Sequence, residues 1–315
     1  MKTKIFLNIF LSLSAIFALA ITAHAQNLYV TLNFGAIYEY TPSGVQSIYD
    51  SGQMPPGLSF PRGLAFDSIG NLFVAETVYP DLRGLGPLVA QGIGRVLKFD
   101  LNNKVSTFGT VRVPGEDIFL IGLATDVAGN VYVLATANND PTAPGTIFEF
   151  TPSGEQIIFG SVPGIPNNTS ANFGLAFDSA GNLYAAAGGA QTIYKFAPNG
   201  ARTVFVGPSA FAPGALPFGL TFDSSGNLFV SIDTFTVPGA DSIVYFTPTG
   251  VESPFATGLT NPRGLAFDSS GNLFVAETNP APDGDILKFA PGGGGPTVFA
   301  SGLRRPQILT FGPPR

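Results

Sequence analysis

The chain has 315 residues, of which 45% are hydrophobic and only 11% are charged, with 39 glycines, 27 prolines and no cysteine. Its formal net charge of -6 argues against nucleic acid and anionic membranes as partners, since both require a basic surface. Without cysteine there are no disulfides and no thiol chemistry. The many glycines and prolines favour short strands and tight turns over helices.

Residues 1–25 have the pattern of a secretory signal peptide. Two lysines precede an apolar run from Ile5 to Ile21, and a small-x-small cleavage signature follows at residues 23–25. A transmembrane helix is the competing interpretation, but the run is short for one and three polar residues interrupt it. We therefore expect a secreted or periplasmic mature chain that begins at Gln26 and leaves the membrane. It also loses the chain's single histidine, which lies in the cleavage signature.

A repeated motif, Gly-Leu-x-x-Asp-x-x-Gly-Asn, dominates the rest of the chain. Its five copies begin at Gly63, Gly122, Gly174, Gly219 and Gly264. In each copy two apolar runs flank the Asp-x-x-Gly-Asn segment, which predicts a β-hairpin. The aspartates are predicted to accept backbone N–H groups of the turn, because a catalytic or metal-binding role would not need five copies. They are Asp67, Asp126, Asp178, Asp223 and Asp268.

Each repeat continues with a third and a fourth strand. Pro254 and Pro296 fall in or beside the fourth strand, which is therefore predicted at the outer edge, where a missing N–H is tolerated. Residues 27–49 supply the second to fourth strands of one more repeat, and residues 306–311 supply its first strand. Residues 26–315 are thus predicted to form an all-β, six-bladed β-propeller with four antiparallel strands per blade. The ring is closed by a blade shared between the N- and C-termini. A parallel β-helix is the alternative, but the repeat is too long for one.

The segment Pro-x-Gly-Leu-Ala-Phe-Asp-x-x-Gly-Asn-Leu-Phe-Val-Ala resembles the NHL repeat. The six-bladed layout resembles the superfamily of gluconolactonase/regucalcin-like enzymes and streptogramin lyase. Streptogramin lyase uses channel histidines, which the mature chain lacks. The gluconolactonase group binds a divalent metal such as calcium through a Glu, an Asn and an Asp at the channel mouth. Here the Glu position holds Arg62 or Arg263, and the Asn position holds Phe173 or Phe218. The resemblance therefore implies the fold more strongly than the activity.

The residue that begins each innermost strand is predicted to line the mouth of the central channel, on the face that carries the variable loops. Counting from the hairpin turns places Arg62 opposite Glu76 and Arg263 opposite Glu277, which predicts two cross-strand ion pairs. Polar residues on one side of this mouth and aromatic ones on the other favour a small amphiphilic ligand. The candidate ligand-binding residues are Arg62, Glu76, Arg263, Glu277, Gln307, Phe173 and Phe218.

The sequence leaves two functions open. The favoured one is a secreted, monomeric, NHL-like propeller that binds a small molecule or an extracellular protein at the channel mouth and the variable loops. The alternative is a metal-dependent hydrolase or lactonase resembling the gluconolactonases, with Glu76, Glu277 and Asp233 as candidate ligands of a divalent metal such as calcium. A non-catalytic role is favoured because each glutamate is predicted to face an arginine, which stabilises the carboxylate but opposes a dication.

Overall fold

The computed structural model describes residues 26–33, 35–49, 58–79, 92–112, 117–137, 144–163, 174–234, 240–278 and 283–313. The predicted signal peptide lies outside these residues. Within them, no helix has the length and apolar character needed to cross a membrane.

The described residues form six four-stranded antiparallel sheets, which are the blades of one ring. Blade 1 contains β1 (Leu28–Leu32), β2 (Ile37–Tyr40), β3 (Gln46–Ile48) and, from the other end of the chain, β24 (Pro306–Phe311). Blade 2 contains β4 (Leu58–Phe66), β5 (Leu72–Tyr79), β6 (Ile93–Phe99) and β7 (Val105–Val111). Blade 3 contains β8 (Ile118–Thr125), β9 (Val131–Ala137), β10 (Gly145–Phe150) and β11 (Gln156–Val162).

Blade 4 contains β12 (Leu175–Phe177), β13 (Leu183–Ala187), β14 (Thr192–Phe196) and β15 (Arg202–Val206). Blade 5 contains β16 (Leu216–Phe222), β17 (Leu228–Asp233), β18 (Asp241–Phe246) and β19 (Glu252–Leu259). Blade 6 contains β20 (Pro262–Phe267), β21 (Leu273–Glu277), β22 (Asp283–Phe289) and β23 (Thr297–Arg304). Short 3₁₀ turns occupy Gly188–Ala190 and Pro208–Ala210. The predicted six-bladed propeller is confirmed, including the blade that both ends of the chain share.

The repeated aspartates close the hairpins that join the first and second strands. Asp67 Oδ1 accepts hydrogen bonds from the backbone N–H groups of Ile69 (3.1 Å) and Asn71 (2.8 Å), and its Oδ2 accepts one from the Asn71 side chain (2.6 Å). The same three bonds recur at Asp126, Asp178, Asp223 and Asp268. This confirms the prediction that these carboxylates are turn residues.

The hydrophobic core lies between neighbouring blades, because each sheet is buried on both faces. In one cluster Phe73 and Val96 of blade 2 pack with Leu120, Val133 and Phe150 of blade 3, all of them buried. Equivalent clusters join the other blades, including blade 6 with the shared blade 1. Continuous apolar strands are what such double-sided burial requires.

The glycines of the repeat bring the innermost strands close together at the axis. A Cβ added to Gly264 would lie 2.6 Å from the carbonyl oxygen of Gln307, and one added to Gly174 would lie 2.6 Å from that of Phe218. Between the repeated Gly-Leu pairs the channel narrows to a cavity of about 30 Å³, which is room for little more than water. The channel has two ends, named here the loop-side mouth (at Arg62, Arg263 and Gln307) and the hairpin-side cavity (at Phe66, Thr125 and Phe311).

Candidate functional site

A β-bulge in the innermost strand sets the geometry of the loop-side mouth. In blade 2 the ladder pairs Pro61 with Glu76 and Gly63 with Ala75, so that Arg62 is an extra residue between two ladder pairs. A bulge of this kind turns a side chain out of the regular alternation along the strand. Arg62 is therefore not the cross-strand partner of Glu76.

The same shift occurs in blade 6, where Pro262 pairs with Glu277 and the next ladder pair is Leu265 with Val275. Arg263 thus lies in the bulge. The register also shifts at the corresponding place in blades 1, 3 and 5. The predicted opposition of Arg62 to Glu76 and of Arg263 to Glu277 is wrong, because one inserted residue moves each arginine out of register.

Arg263 is held between an aromatic ring and a carboxylate. Its guanidinium carbon lies 4.2 Å from the centroid of the Phe218 ring, and Nη2 lies 3.3 Å from Oδ2 of the fully buried Asp233. Burial lowers the pKa of the Arg263 guanidinium, the Asp233 carboxylate raises it, and the positive charge of Arg62 lowers it again. Because arginine remains protonated in proteins, the mouth carries a partly desolvated positive charge.

Other mouth residues surround this arginine. Arg62 stacks over the ring of Phe119 at 5.6 Å. The Gln307 side chain donates a hydrogen bond to the carbonyl oxygen of Arg305 (3.1 Å), a residue with a left-handed φ of 52°. Phe173 lies outside the described residues. Phe218 thus stacks with Arg263, and Gln307 is hydrogen-bonded to the segment that enters β24.

Glu76 has a different ionic partner from the one predicted. Arg95, on the adjacent β6, donates from Nε to Glu76 Oε1 (2.6 Å) and also contacts it through Nη2. The Glu76 side chain is fully buried, and that of Arg95 is 17% exposed. The ladder pairs Glu76 with Arg95 directly, so the ion pair belongs to the second and third strands of the blade.

Glu277 and Asp241 anchor the loop that enters β20. Glu277 Oε1 accepts a hydrogen bond from the Thr260 N–H. Asp241 Oδ2 accepts one from the Asn261 N–H (2.7 Å), while its Oδ1 accepts from the backbone N–H and the hydroxyl of Thr234. Burial raises the pKa of Glu277, and the hydrogen bond from Thr260 opposes that rise. These two carboxylates position the backbone that presents Arg263.

Two of the three candidate metal donors lie beside an arginine. Glu76 is ion-paired with Arg95, and Asp233 is ion-paired with Arg263. A cation beside each carboxylate opposes the approach of a dication. Among the residues that the structure describes, no three His, Cys, Asp or Glu side chains are grouped as a metal site.

Sequence reasoning missed Arg95, although a signal for it exists. The ladder between β5 and β6 runs without a shift from Leu72–Phe99 to Glu76–Arg95. Leu72 follows the first hairpin turn and Phe99 precedes the turn to the fourth strand, so counting four residues inward from each would have placed Arg95 opposite Glu76. The bulge, by contrast, does not change the number of residues in the motif of the first hairpin, so the spacing gives no sign of it.

No family model and no curated protein sequence matches the chain. Solved structures do. Virginiamycin B lyase from Staphylococcus aureus superposes with a TM-score of 0.53 at 17% identity, over 79% of this chain and 73% of the lyase. A calcium-binding regucalcin from Agrobacterium tumefaciens gives 0.59 at 13% identity, over 82% and 80%.

A protein described as a gluconolactonase gives a TM-score of 0.53 at 15% identity, over 81% of this chain and 86% of that one. Identities this low establish a shared fold and leave the function open. In architecture, the chain is a six-bladed β-propeller of the kind found in virginiamycin B lyase, regucalcin and gluconolactonase-like proteins.

Proposed function

We propose that this protein is an exported binding propeller whose loop-side mouth takes a small ligand with an anionic group and an apolar body. The observation that carries the proposal is Arg263, stacked 4.2 Å from the Phe218 ring centroid and paired with buried Asp233. A guanidinium has five N–H donors, so Arg263 can serve Asp233 and a ligand carboxylate together. Stacking on an aromatic face fixes its plane for such bidentate recognition.

Other charged groups lie close to Arg263. The charged groups that perturb its pKa are the carboxylates of Asp233 and Asp241 and the guanidinium groups of Arg62 and Arg305. The guanidinium groups of Arg62 and Arg305 thus add positive charge beside Arg263, which is what an anionic ligand requires. The rings of Phe119 and Phe218, on which Arg62 and Arg263 stack, supply an apolar surface beside it.

The competing proposal is a metal-dependent hydrolase or lactonase. It is supported by the likeness in fold to regucalcin and to a gluconolactonase-like protein. It is opposed by the ion pairs that engage Glu76 and Asp233. An anion that binds through arginine requires a positively charged mouth, whereas a dication that binds through carboxylates requires a negatively charged one.

Isothermal titration of the purified protein with phenylacetate, and with 2-phenylethanol as its neutral counterpart, tests the proposal. We expect phenylacetate to bind at least about tenfold more tightly, because a charged hydrogen bond is lost with the neutral ligand. Arg263→Ala should remove this preference. Arg202→Ala is the matched control, because Arg202 stacks on Tyr194 (5.1 Å) in the outer strand of blade 4.

Equal binding of the two ligands, or an unchanged preference in Arg263→Ala, would contradict the anion-binding proposal. Melting curves with calcium and with a chelator test the competing one, since binding to the native state alone raises apparent stability. A calcium-dependent rise that Glu277→Gln abolishes would favour the hydrolase.

Export is supported by the signal-peptide pattern of residues 1–25. Mass spectrometry of the protein released from its producing cells should give a chain that begins at Gln26. An exported form that retains residues 1–25 on the membrane would overturn this part of the proposal.

A further inference from the structure

One blade breaks the pattern of aromatic residues at the hairpin-side end of the channel. The residue before each hairpin aspartate, or at the equivalent place at the end of β24, is phenylalanine in five blades and Thr125 in blade 3. The five phenylalanines are Phe66, Phe177, Phe222, Phe267 and Phe311. Thr125 instead donates a hydrogen bond from its hydroxyl to the carbonyl oxygen of Phe66 (2.7 Å).

These phenylalanines normally fill the space between blades. Each packs edge-on against the second-strand aromatic residue of the preceding blade, for example Tyr132 against Phe177 at 5.0 Å and Phe274 against Phe311 at 5.1 Å. In blade 2 the corresponding aromatic is Phe73, and the residue that would meet it is Thr125. The smaller side chain therefore removes one ring from the hairpin-side end of the channel.

The hairpin-side cavity, of about 770 Å³, opens beside this position. Its walls include Phe66, Phe177 and Phe311 from three blades, with Thr125 between them and Tyr132 on the next strand. This volume lies within the range of about 300–1,000 Å³ that is usual for small-ligand sites. The channel constriction of about 30 Å³ separates this cavity from the loop-side mouth.

The cavity is lined by acidic side chains as well as aromatic ones. Four carboxylates contribute to its surface: Asp67, Asp126, Asp178 and Glu149. Burial raises the pKa of the Tyr132 phenol, and the neighbouring charges of Glu149 and Asp126 raise it further. Lys195, 3.7 Å from Asp178, offsets part of this charge, and in a chain that begins at Gln26 the α-amino group adds a second positive charge at the cavity wall. Among the described residues, the cavity wall thus combines aromatic rings with more carboxylates than cations.

We propose that the hairpin-side cavity is a second binding site, for a small organic cation such as an aryl or alkyl ammonium compound. Aromatic faces attract such cations through their quadrupole, and the carboxylates of the hairpins and of Glu149 supply the complementary charge. This site is independent of the anion site at the loop-side mouth, because it lies at the other end of a constricted channel.

Titration of the full protein with benzyltrimethylammonium, benzyl alcohol and benzoate tests this proposal. We expect the cation to bind at least about tenfold more tightly than the neutral alcohol, and the anion to bind most weakly. Thr125→Phe restores the residue that the other blades carry, and it should weaken binding of the cation by narrowing the cavity at this wall.

Glu149→Gln keeps the side-chain shape, removes one charge, and should weaken binding of the cation about three- to tenfold. Its matched control is Glu39→Gln, because Glu39 occupies the same strand position in blade 1, bonded to the Tyr29 hydroxyl (2.6 Å), and does not line the cavity. Any of three results would overturn the proposal: no binding of the cation, equal binding of the alcohol, or equal effects of the two glutamate substitutions.

Discussion

At Glu76 the cost of burying a carboxylate is offset by a directed ion pair. Its side chain is fully buried, and Arg95 reaches it with two guanidinium nitrogens from the neighbouring strand. The pair at Asp178 and Lys195 is more open, with side chains 17% and 34% exposed and 3.7 Å between the charged atoms. The two ion pairs thus differ in burial, although each consists of one basic and one acidic side chain.

Removing Arg95 should therefore be far more costly than removing Lys195. We expect Arg95→Ala to lower the free energy of unfolding by about 3 kcal/mol, because a buried carboxylate loses its counter-ion. A double-mutant cycle with Glu76→Ala, followed by urea unfolding, should show strong coupling. The matched cycle on Lys195 and Asp178 should give a coupling energy below about 1 kcal/mol. Additive effects of Arg95 and Glu76 would contradict this assignment.

Glu277 introduces a pH dependence of stability. Burial raises its pKa, and the nearby charges of Asp285 and Asp241 act in the same direction. The folded state therefore binds this proton more readily than the unfolded state, so its contribution is largest below the ordinary pKa of about 4.3 and is lost as pH rises through the raised pKa. Glu277→Gln should gain stability relative to the wild type as the pH rises from the ordinary glutamate pKa of about 4.3 through the raised pKa of Glu277.

Denaturant titrations at several pH values measure this gain. Glu252→Gln serves as the control, because Glu252 is exposed on outer strand β19, and it should leave the pH profile unchanged. A Glu277→Gln variant with the pH profile of the wild type would show that Glu277 ionises normally.

At the scale of strands, the sequence predicts which residues form the sheets. It does not predict the direction in which every side chain leaves its strand. The hairpin at Asp67 and Asn71 could be read from its motif, because its three hydrogen bonds depend only on local residue types. The bulge at Arg62 could not, because the extra residue replaces a ladder pair without changing the spacing of the motif. The shift recurs at the corresponding place in five blades, which only the strand pairing reveals.

The repeated glycine is needed because innermost strands approach one another through it. Gly264→Ala would place a Cβ 2.6 Å from the Gln307 carbonyl oxygen and 2.7 Å from the Ile308 Cα, both of them backbone atoms. We expect a loss of about 3 kcal/mol in unfolding free energy, because the backbone must shift. In the same blade, Gly295→Ala meets nothing within 4 Å and should stay within about 0.5 kcal/mol of the wild type. Thermal unfolding of the two variants makes the comparison, and similar melting temperatures would disprove this role.

At the scale of the whole ring, the two described ends of the chain meet in blade 1. Leu28 pairs with Phe311 across β1 and β24, and the Gly312 N–H donates to the Asn27 carbonyl oxygen (3.0 Å). The ends therefore lie where every other blade has its Asp-x-x-Gly-Asn hairpin. Joining Phe311 to Asn27 through Asp-Ser-Ser-Gly should recreate that hairpin.

A circular permutant with this joint, opened in the exposed turn of blade 6 at Gly293, should fold to a monomer with cooperative unfolding, since such turns tolerate new termini. Deletion of residues 306–313 is the contrasting variant, because it leaves β1 without its inner neighbour. Size-exclusion chromatography and thermal unfolding distinguish them. A folded deletion variant, or an unfolded permutant, would show that the shared blade does not hold the ring together.

The shared blade also determines the order in which the strands can pair as the chain is synthesised. Of the described strands, β1 is made first and its inner partner β24 is made last, so the seam joins strands that are far apart in the sequence. Blades 2 to 6 are each contiguous in sequence, so their strands can pair locally as they are made. In blade 1, by contrast, β1 has no inner neighbour until β24 has been made. Contacts of such long sequence separation form slowly. The ring can therefore close only after β24 has been made, although the other five blades can form before it.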